Sequence, residues 1–277
     1  YLVLEADGYR LTAAARRSLP EDDLRLMGAF VKEQGRIGLD AARAVREAPE
    51  DGIIGWETVQ SGEVGAGYQA TMRWLASDLV DPVVDAVDLP DGARRMLDVG
   101  GSHGLYTVRF CEEHPGMEGT VLDWEIGLEA ARKTLAERPD VASRIDLVER
   151  DFEEEALPDG YDFAFLGNIV HGLSPEGNRD LFGKLADATT ERGTVAIVDQ
   201  VADPPDTSRL PFDPFESSFA DAVAALIGFN LFLFSGGRSY EYADLERWLS
   251  DAGFPEVSYR PLRQSPGFSL VVARKPA

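Results

Sequence analysis

The sequence predicts an α/β fold, in which a parallel sheet carries helices on both faces and a smaller helical region precedes it. Short apolar segments alternate with amphipathic ones after residue 93, and a glycine-rich run follows the first of them. With 277 residues, 44% of them hydrophobic, the chain can bury one large domain and a small appendage. We place the boundary near residue 90, between a region at 1–90 and a domain at 91–277.

The smaller region is expected to begin with a hairpin. Residues 2–4 and 9–11 flank Asp7-Gly8, a dipeptide typical of tight turns, and Thr12 is then a candidate helix cap. The pattern at 21–60 suggests further helix. Apolar side chains then recur at spacings of four, three and four, at Tyr68, Met72, Leu75 and Leu79. This spacing predicts a long helix from Gly67, which Pro82 is expected to end.

The larger domain is predicted from its alternating segments. Strands are expected at residues 96–99, 120–122, 145–148, 163–167 and 195–198. Helices are expected between them at about 104–113, 126–137 and 176–188. A proline-rich loop at 203–214 and an apolar helix at 215–234 follow. An amphipathic helix at 241–252 and two strands at 256–260 and 268–273 complete the sheet.

The charge of the chain excludes nucleic acid as a partner. Asp and Glu number 49 against 27 Lys and Arg, so the formal net charge is −22, whereas affinity for phosphates requires clustered basic residues. The excess of acids and the scarcity of lysine indicate a protein adapted to high salt, where ions screen the self-repulsion. The alternative is an acidic surface that reflects a GC-rich genome, and both interpretations stay open.

The composition also argues against a membrane or secreted protein. The apolar runs are too short to span a bilayer and no signal-peptide pattern opens the chain, so we expect a cytoplasmic protein. A single cysteine, Cys111, excludes internal disulfides and multi-cysteine zinc sites, and we expect no metal. Because the chain opens at Tyr1 rather than Met, we expect a further N-terminal segment.

The strongest local signal is the run LDVGGSHG at residues 97–104, between a predicted strand and a predicted helix. Gly100, Gly101 and Gly104 allow a sharp turn and a close approach of the backbone to a ligand. Their spacing fits the GxGxxG dinucleotide fingerprint poorly. The preceding Asp98 disfavours a phosphate and suits an ammonium group. The alternative is a glycine-rich turn that binds nothing.

Two acids end the next two strands. Asp123, about 20 residues after the glycine run, is placed to accept hydrogen bonds from ribose hydroxyls, and we include the adjoining Trp124 in the same site. Asp151 is placed to accept from the exocyclic amine of adenine, with Phe152 as a flat wall for the ring. The alternatives are a helix cap for Asp123 and an ordinary surface acid for Asp151.

A candidate base follows the fourth strand. Asn168 and His171 lie just beyond its carboxyl end, where open α/β sheets bind ligands, and an imidazole there can take a proton near neutral pH. Asp199 ends the fifth strand and is placed to orient the imidazole. The alternatives are a hydrogen-bonded loop histidine and one more solvated acid.

Taken together, these residues resemble the S-adenosylmethionine-dependent small-molecule O-methyltransferases, most closely the subfamily with an N-terminal winged-helix dimerisation domain, typified by caffeate and natural-product enzymes. The hairpin at residues 2–11, the Tyr68 and Met72 pair, the glycine run and His171 carry the resemblance. It implies a Rossmann-like class I methyltransferase fold, S-adenosylmethionine as cofactor with S-adenosylhomocysteine as product, a small-molecule acceptor and a homodimer.

The resemblance assigns a role to each candidate residue. His171 is the general base that deprotonates an acceptor hydroxyl, and Asp199 supports it. The implied cofactor residues are Asp98, Gly100, Gly101, Gly104, Asp123, Trp124, Asp151, Phe152 and Asn168. The implied walls of an aromatic or apolar acceptor pocket are Met72, Trp74, Phe219, Phe229, Asn230 and Phe232. For any one of these walls, ordinary core packing is the alternative.

Four departures from the family pattern surround the base, the first being that Asp199 stands where the family's first flanking acid is the longer Glu. Gly172 stands where members often have Asp, Gly167 where plant members have Lys, and Ser239 where a second flanking acid is usual. We therefore expect an intact cofactor site, and fewer charged residues around the base than is usual in the family. Methylation of nitrogen or carbon, another use of the cofactor, and a noncatalytic cofactor-binding module stay open as alternatives.

Overall fold

The computed structural model describes residues 2–5, 8–11, 32, 59–60, 62–202, 231, 237–262 and 267–276. The helices expected within 12–58 and 215–234 lie outside the described residues, apart from isolated positions. Four of the proposed acceptor-pocket residues, Phe219, Phe229, Asn230 and Phe232, also lie outside them. None of the helices in the described part is both long and apolar enough to cross a membrane.

The N-terminal hairpin is present. Strands β1 (Leu2–Glu5) and β2 (Gly8–Leu11) pair antiparallel. Leu2 lies opposite Leu11, and Glu5 lies opposite Gly8. The Asp7-Gly8 dipeptide suggested that Gly8 belongs to the turn. Because Gly8 pairs with Glu5, it is instead the first residue of the second strand.

A long helix, α1 (Gly62–Val84), packs against the larger domain. Its buried positions include Ala76, Leu79 and Val83. The expectation that Pro82 ends the helix is wrong, since Pro82 lies inside its last turn. Pro82 has no N–H to donate to the preceding turn and its ring crowds the carbonyl four residues earlier, yet the helix continues for two residues beyond it.

The larger domain contains a seven-stranded sheet, so the predicted α/β class is confirmed. Its strands are β3 (Arg95–Val99), β4 (Glu118–Asp123), β5 (Ile145–Glu149), β6 (Tyr161–Gly167), β7 (Thr189–Asp199), β10 (Glu256–Pro261) and β11 (Ser269–Arg274). They lie in the order β10-β11-β7-β6-β3-β4-β5. Short strands β8 (Val201–Ala202) and β9 (Tyr240–Glu241) form a separate parallel pair.

The sheet is mixed, which corrects the all-parallel expectation. Strands β3 to β7 are parallel, but β11 pairs antiparallel with both β7 and β10. Only the short segment 262–268 separates β10 from β11. So short a connection permits a hairpin and no crossover, because a parallel pair needs a connection of a dozen or more residues.

Helices cover both faces of the sheet. They are α2 (Leu105–Glu113), α3 (Glu125–Ala136), α4 (Pro139–Ala142), α5 (Pro175–Ala188) and α6 (Tyr242–Asp251). Along β6, Phe163 and Phe165 join one core cluster with α1, α2 and α3, while Ala164 and Leu166 join the other with α5 and α6. This alternation explains why the strands read as continuous apolar runs: both faces are buried.

Candidate active site

A cavity opens at the carboxyl ends of β3, β4 and β6. The turn after β3, the residues that follow β4 and β6, and one side of α1 form its walls. This edge of the sheet is where open α/β folds bind ligands. Eight of the sequence-predicted residues line it: Met72, Asp98, Gly100, Gly101, Asp123, Trp124, Phe152 and Asn168.

The glycine turn folds directly over Asp98. A Cβ atom at Gly101 would lie 2.6 Å from the Asp98 Cγ, so any side chain at 101 would displace the carboxyl group. Gly100 and Gly104 have φ angles of +64° and +67°, in the left-handed region that favours glycine. Gly104 does not line the cavity; it precedes the first residue of α2.

Asp98 is a buried carboxyl at the floor of the cavity, with 1% of its surface exposed. The Thr107 hydroxyl donates to its Oδ2 over 2.6 Å. Burial, reinforced by the charge of Asp123, raises the pKa of Asp98 to about 7. The group is therefore poised between its neutral and ionised forms near neutral pH, and a bound cation would favour the ionised form.

Asp123 ends β4 and is held by two backbone donors. The N–H of Ser102 donates to Oδ2 and the N–H of Trp124 to Oδ1, each over 2.7 Å. Burial raises the pKa of Asp123 to about 6. A carboxylate oxygen accepts more than one hydrogen bond, so both oxygens can still accept from a diol in the cavity. A Cβ at Gly127 would lie 2.5 Å from the Asp123 Cγ, a requirement for glycine that we did not predict.

Helix α1 fixes the glycine turn through contacts that sequence analysis missed. The Ser102 hydroxyl donates to Oε1 of the buried Gln69. Ser102 has a φ angle of +46°, a conformation uncommon for a residue with a side chain, and this bond helps to hold it. His103 Nδ1 accepts from the Leu105 N–H over 3.1 Å, and the ring also bonds to the Met72 backbone.

His103 is a structural histidine. Burial, together with the charge of Arg73, lowers its pKa to about 3. It is therefore neutral across the physiological range, and it ties the glycine turn to α1. No local pattern distinguishes such a histidine from a base, because its Met72 partner belongs to a helix much earlier in the chain.

The predicted adenine side is only partly as expected. Phe152, Trp124 and Arg150 line the cavity. Asp151 does not line it, which differs from the prediction: its Oδ1 accepts the Glu153 N–H over 2.9 Å and closes a local turn.

Three side chains that line the cavity, Asn168, Tyr106 and Arg150 (at its Nε), have a buried polar atom with no hydrogen-bond partner among the described residues. Asn168, which lines the cavity, has a φ angle of +60°, and its Oδ1 is buried with no hydrogen-bond partner among the described residues. The hydroxyl of Tyr106, another lining residue, is in the same state. Buried polar atoms without partners are rare in native proteins, and such atoms on a cavity indicate a ligand or ordered water.

His171 and Asp199 form a buried pair. His171 lies in a 3₁₀ turn over Val170–Gly172, and its Nδ1 is 2.7 Å from Oδ1 of Asp199. The His171 backbone N–H donates to Oδ2 over 3.2 Å, and the Gln200 N–H donates to Oδ1 over 2.7 Å. Because a carboxylate only accepts, the pair places the proton on Nδ1 and leaves the lone pair on Nε2.

The turn that carries His171 is fixed from three further sides. Asn178, fully buried in α5, donates from Nδ2 to the Val170 carbonyl over 3.1 Å. The Arg238 N–H donates to the His171 carbonyl over 2.9 Å. The Tyr240 hydroxyl donates to the Leu173 carbonyl over 2.6 Å. Ser239 follows Arg238, and its buried hydroxyl has no partner among the described residues.

The acceptor side of the site is described only in part. His171 itself does not line the cavity, whose wall at this point is formed by Ile169, Gly172 and Leu173. Trp74, which we also expected in the acceptor pocket, does not line this cavity, whereas Met72 does. Residues two apart on a helix point about 200° from each other, so both cannot face one cavity.

The cavity suits a nucleoside that carries an amino acid. Asp123 presents oxygens for a sugar diol, Asp98 an acid for an ammonium group, and the unpartnered Tyr106 and Asn168 atoms supply further polar contacts. In the part of the chain that the structure describes, no three His, Cys, Asp or Glu side chains group as metal ligands would. A largely parallel α/β sheet with such a site at the ends of its strands is the architecture of class I, S-adenosylmethionine-binding methyltransferases.

Comparison with known proteins supports the methyltransferase class and indicates the family within it. A family profile for the O-methyltransferase domain matches residues 51–255. The chain is 35% identical over 281 residues to 3-hydroxy-5-methyl-1-naphthoate 3-O-methyltransferase of Streptomyces sahachiroi, spanning 98% of this chain and 77% of that one. It is 27% identical over 199 residues to L-tyrosine C(3)-methyltransferase of Streptomyces lavendulae, spanning 70% and 50%.

The fold has solved counterparts. NcsB1, an O-methyltransferase from neocarzinostatin biosynthesis in complex with S-adenosylmethionine and 2-hydroxy-5-methyl naphthoic acid, superposes with a TM-score of 0.74. Its identity is 18%, and the match covers 99% of this chain and 81% of that one, which is a likeness of fold. The chain belongs to the O-methyltransferase domain family and is an S-adenosylmethionine-dependent methyltransferase.

Proposed function

We propose that the protein transfers the methyl group of S-adenosylmethionine to a hydroxyl of a small aromatic acceptor, with His171 as general base. The observation that carries this proposal is the buried His171–Asp199 pair, 2.7 Å between Nδ1 and Oδ1, on the turn beside the cavity. The 35% identical relative is named for methylating a hydroxynaphthoate, which supports an aromatic hydroxyl as the acceptor.

The cofactor would be held at its sugar by Asp123 and at its amino group by Asp98. Trp124, Phe152 and Asn168 would contact the remainder. Bound S-adenosylmethionine supplies a methyl group that is already activated by its sulfonium. The protein has therefore mainly to align donor and acceptor and to remove one proton.

His171 would take the acceptor proton on Nε2. Asp199 holds the ring through Nδ1 and stabilises the imidazolium that forms. Because Asp199 also accepts the N–H groups of His171 and Gln200, its carboxylate cannot rotate away from the ring without losing those bonds. Phe219, Phe229, Asn230 and Phe232, with Met72, remain our proposed walls of the acceptor pocket.

The test is product analysis with a labelled methyl donor. With 3-hydroxy-5-methyl-1-naphthoate as probe acceptor, we expect the labelled methyl on oxygen, detected by mass spectrometry. His171→Ala should lower turnover about 10²-fold to 10⁴-fold, the usual contribution of a positioned base. Its Kd for S-adenosylhomocysteine, measured by titration calorimetry, should stay unchanged. Full turnover in this variant would remove His171 from the mechanism.

One observation favours a second candidate. The 27% identical relative is named for methylating a carbon of L-tyrosine, and a phenol deprotonated by His171 is also nucleophilic at its ring carbons. The same labelled-product experiment separates the two, because a methyl on a ring carbon resists ether cleavage. Binding of S-adenosylhomocysteine with no methylated product from any phenolic probe would support a noncatalytic module instead.

We also propose that residues 1–90 form a winged-helix dimerisation region, as the resemblance implies. The described hairpin of β1 and β2 supports the wing. Light scattering on the purified chain tests the dimer. A solution mass twice that of a single chain is expected, and a mass equal to that of a single chain would contradict it.

A further inference from the structure

The polar groups at the floor of the cavity divide into those with partners and those without. Asp98 accepts from Thr107, Ser102 bonds to Gln69, and His103 accepts from Leu105. Tyr106 is different. It is 4% exposed and lines the same cavity, yet its hydroxyl makes no hydrogen bond within the described residues.

We infer that the Tyr106 hydroxyl binds the carboxylate of the cofactor's amino-acid end, and so makes Tyr106 a further cofactor-binding and specificity residue. The inference rests on the cofactor orientation proposed above, with the amino group at Asp98. A zwitterion needs an acceptor for its ammonium group and a donor for its carboxylate. Asp98 supplies the first, and Tyr106 is the unpartnered hydroxyl beside it.

The state of the phenol fits a donor. Burial, with the charge of Asp98 in addition, raises the pKa of Tyr106 well above its usual range. The hydroxyl therefore keeps its proton near neutral pH. It can donate to an anion, while a deprotonated phenol beside Asp98 would repel one.

Neighbouring side chains fix the ring of Tyr106, and its hydroxyl is the part that can bind a ligand. It packs on Phe165 with 4.6 Å between ring centroids. A Cβ at Gly167 would lie 3.4 Å from the Tyr106 Cε2, so the edge of the ring fills the space above that glycine. A ring fixed by its neighbours loses little conformational entropy when it binds a ligand, which favours specific recognition.

A second unpartnered atom on the cavity, Asn168 Oδ1, supports the same assignment of donors and acceptors. Asn168 Oδ1 is an acceptor and thus suits the ammonium group, as Asp98 does. Asp123 is occupied with the sugar in the proposed orientation. Two donors on the cavity are unpartnered, the Tyr106 hydroxyl and Arg150 Nε. The Arg150 guanidinium already contacts the Ala156 carbonyl and Glu155. The Tyr106 hydroxyl is therefore the donor that we assign to the carboxylate.

The test compares three probes by titration calorimetry on the full chain. S-adenosylhomocysteine has both amino and carboxylate groups, S-adenosyl-3-thiopropylamine lacks only the carboxylate, and methylthioadenosine lacks both. Tyr106→Phe should raise the Kd of S-adenosylhomocysteine about tenfold, as expected for a lost charged hydrogen bond. It should change the Kd of the other two probes less than about twofold, because neither offers a carboxylate to the hydroxyl.

Tyr161→Phe is the matched control. Tyr161 is equally buried, at 4% exposed, but its hydroxyl donates to Thr120 Oγ1 over 3.0 Å and it does not line the cavity. Its loss should leave all three Kd values unchanged, with any cost confined to the melting temperature. Thermal denaturation of both variants separates a folding defect from a binding defect.

The outcomes separate this inference from the proposed function. If Tyr106→Phe weakens all three probes equally, or none, Tyr106 does not read the carboxylate and the inference is wrong. If the wild-type chain binds none of the probes, the proposed cofactor site itself fails. An effect on S-adenosylhomocysteine alone supports the inference.

Discussion

The site that we propose has a cofactor end and a base end, and the two use their carboxylates differently. At the cofactor end, Asp98 and Asp123 are buried acids whose pKa values are raised to about 7 and about 6, and both line the cavity. At the base end, Asp199 lies outside the cavity lining and accepts from His171 twice and from Gln200 once. The carboxylates of Asp98 and Asp123 face the cavity and can bind a ligand. The carboxylate of Asp199 already holds the ring of His171.

This difference predicts separate consequences for chemistry and binding. A group that waits for a ligand should control affinity and its dependence on pH. A group committed to positioning should control turnover and leave affinity alone. Variants at the two ends should therefore fall into two classes.

The largest effect is expected at Asp199. Asp199→Asn keeps the shape of the side chain but can donate to Nδ1, which would move the ring proton to Nε2 and block proton uptake there. Turnover should fall by about 10³-fold or more. The Kd of S-adenosylhomocysteine should stay within about twofold of wild type. A variant with near-normal turnover would show that the Asp199 contact does not set the tautomer.

A smaller effect is expected from pH at the cofactor end. The ionised form of Asp98 binds an ammonium group and the neutral form does not, so affinity should rise as pH passes upward through about 7. We expect the Kd of S-adenosylhomocysteine to fall several-fold between pH 6 and pH 8 in calorimetric titrations. Asp98→Asn should be weaker throughout and should lose this slope. A wild-type Kd that is flat over the range would contradict the role of Asp98.

The smallest effect concerns stability. Asp98 and Asp123 have raised pKa values in the folded protein, so between about pH 4 and 7 the folded chain binds more protons than the unfolded one. Stability without ligand should therefore fall as pH rises through this window. Melting temperature by calorimetry should be a few degrees lower at pH 7.5 than at pH 5.5. Equal or rising values would contradict the raised pKa of the two acids.

The melting temperature should also depend on the salt concentration. A protein of net charge −22 repels itself at low ionic strength. If the chain is adapted to high salt, its melting temperature should rise between low and molar KCl. No gain would favour the interpretation as an ordinary acidic surface.

The fold could be predicted well because the evidence for it in the sequence is local. The strands of the sheet are recognisable in the sequence as apolar runs between turn residues. Each predicted strand from β3 to β7 is present. The sheet's direction at β10 and β11 was missed because it depends on how a short loop reverses the chain. The passage of α1 through Pro82 was missed because proline is disfavoured beyond the first turn of a helix, and the packing of α1 against the larger domain is not visible in its local sequence.

The positions of candidate site residues could be predicted where these residues follow a strand, and not where they contact a distant part of the chain. Asp98, Asp123 and His171 all lie at the ends of parallel strands, a position that the alternation of segments reveals. Gln69 was missed because it holds the glycine turn, which is distant from it in sequence. Asn178 was missed because no sequence motif marks an asparagine that holds the turn of His171. Trp74 was included because its closeness to Met72 in sequence hides their opposite directions on the helix.

The central claim is that affinity and catalysis reside in separate halves of this site. Its most direct test measures the S-adenosylhomocysteine Kd and the turnover at saturating cofactor in two variants, Asp123→Asn and His171→Ala. We expect Asp123→Asn to raise the Kd at least tenfold with most of the turnover retained, and His171→Ala to do the reverse. An unchanged Kd in Asp123→Asn, or an equal loss of both quantities in the two variants, would contradict the account.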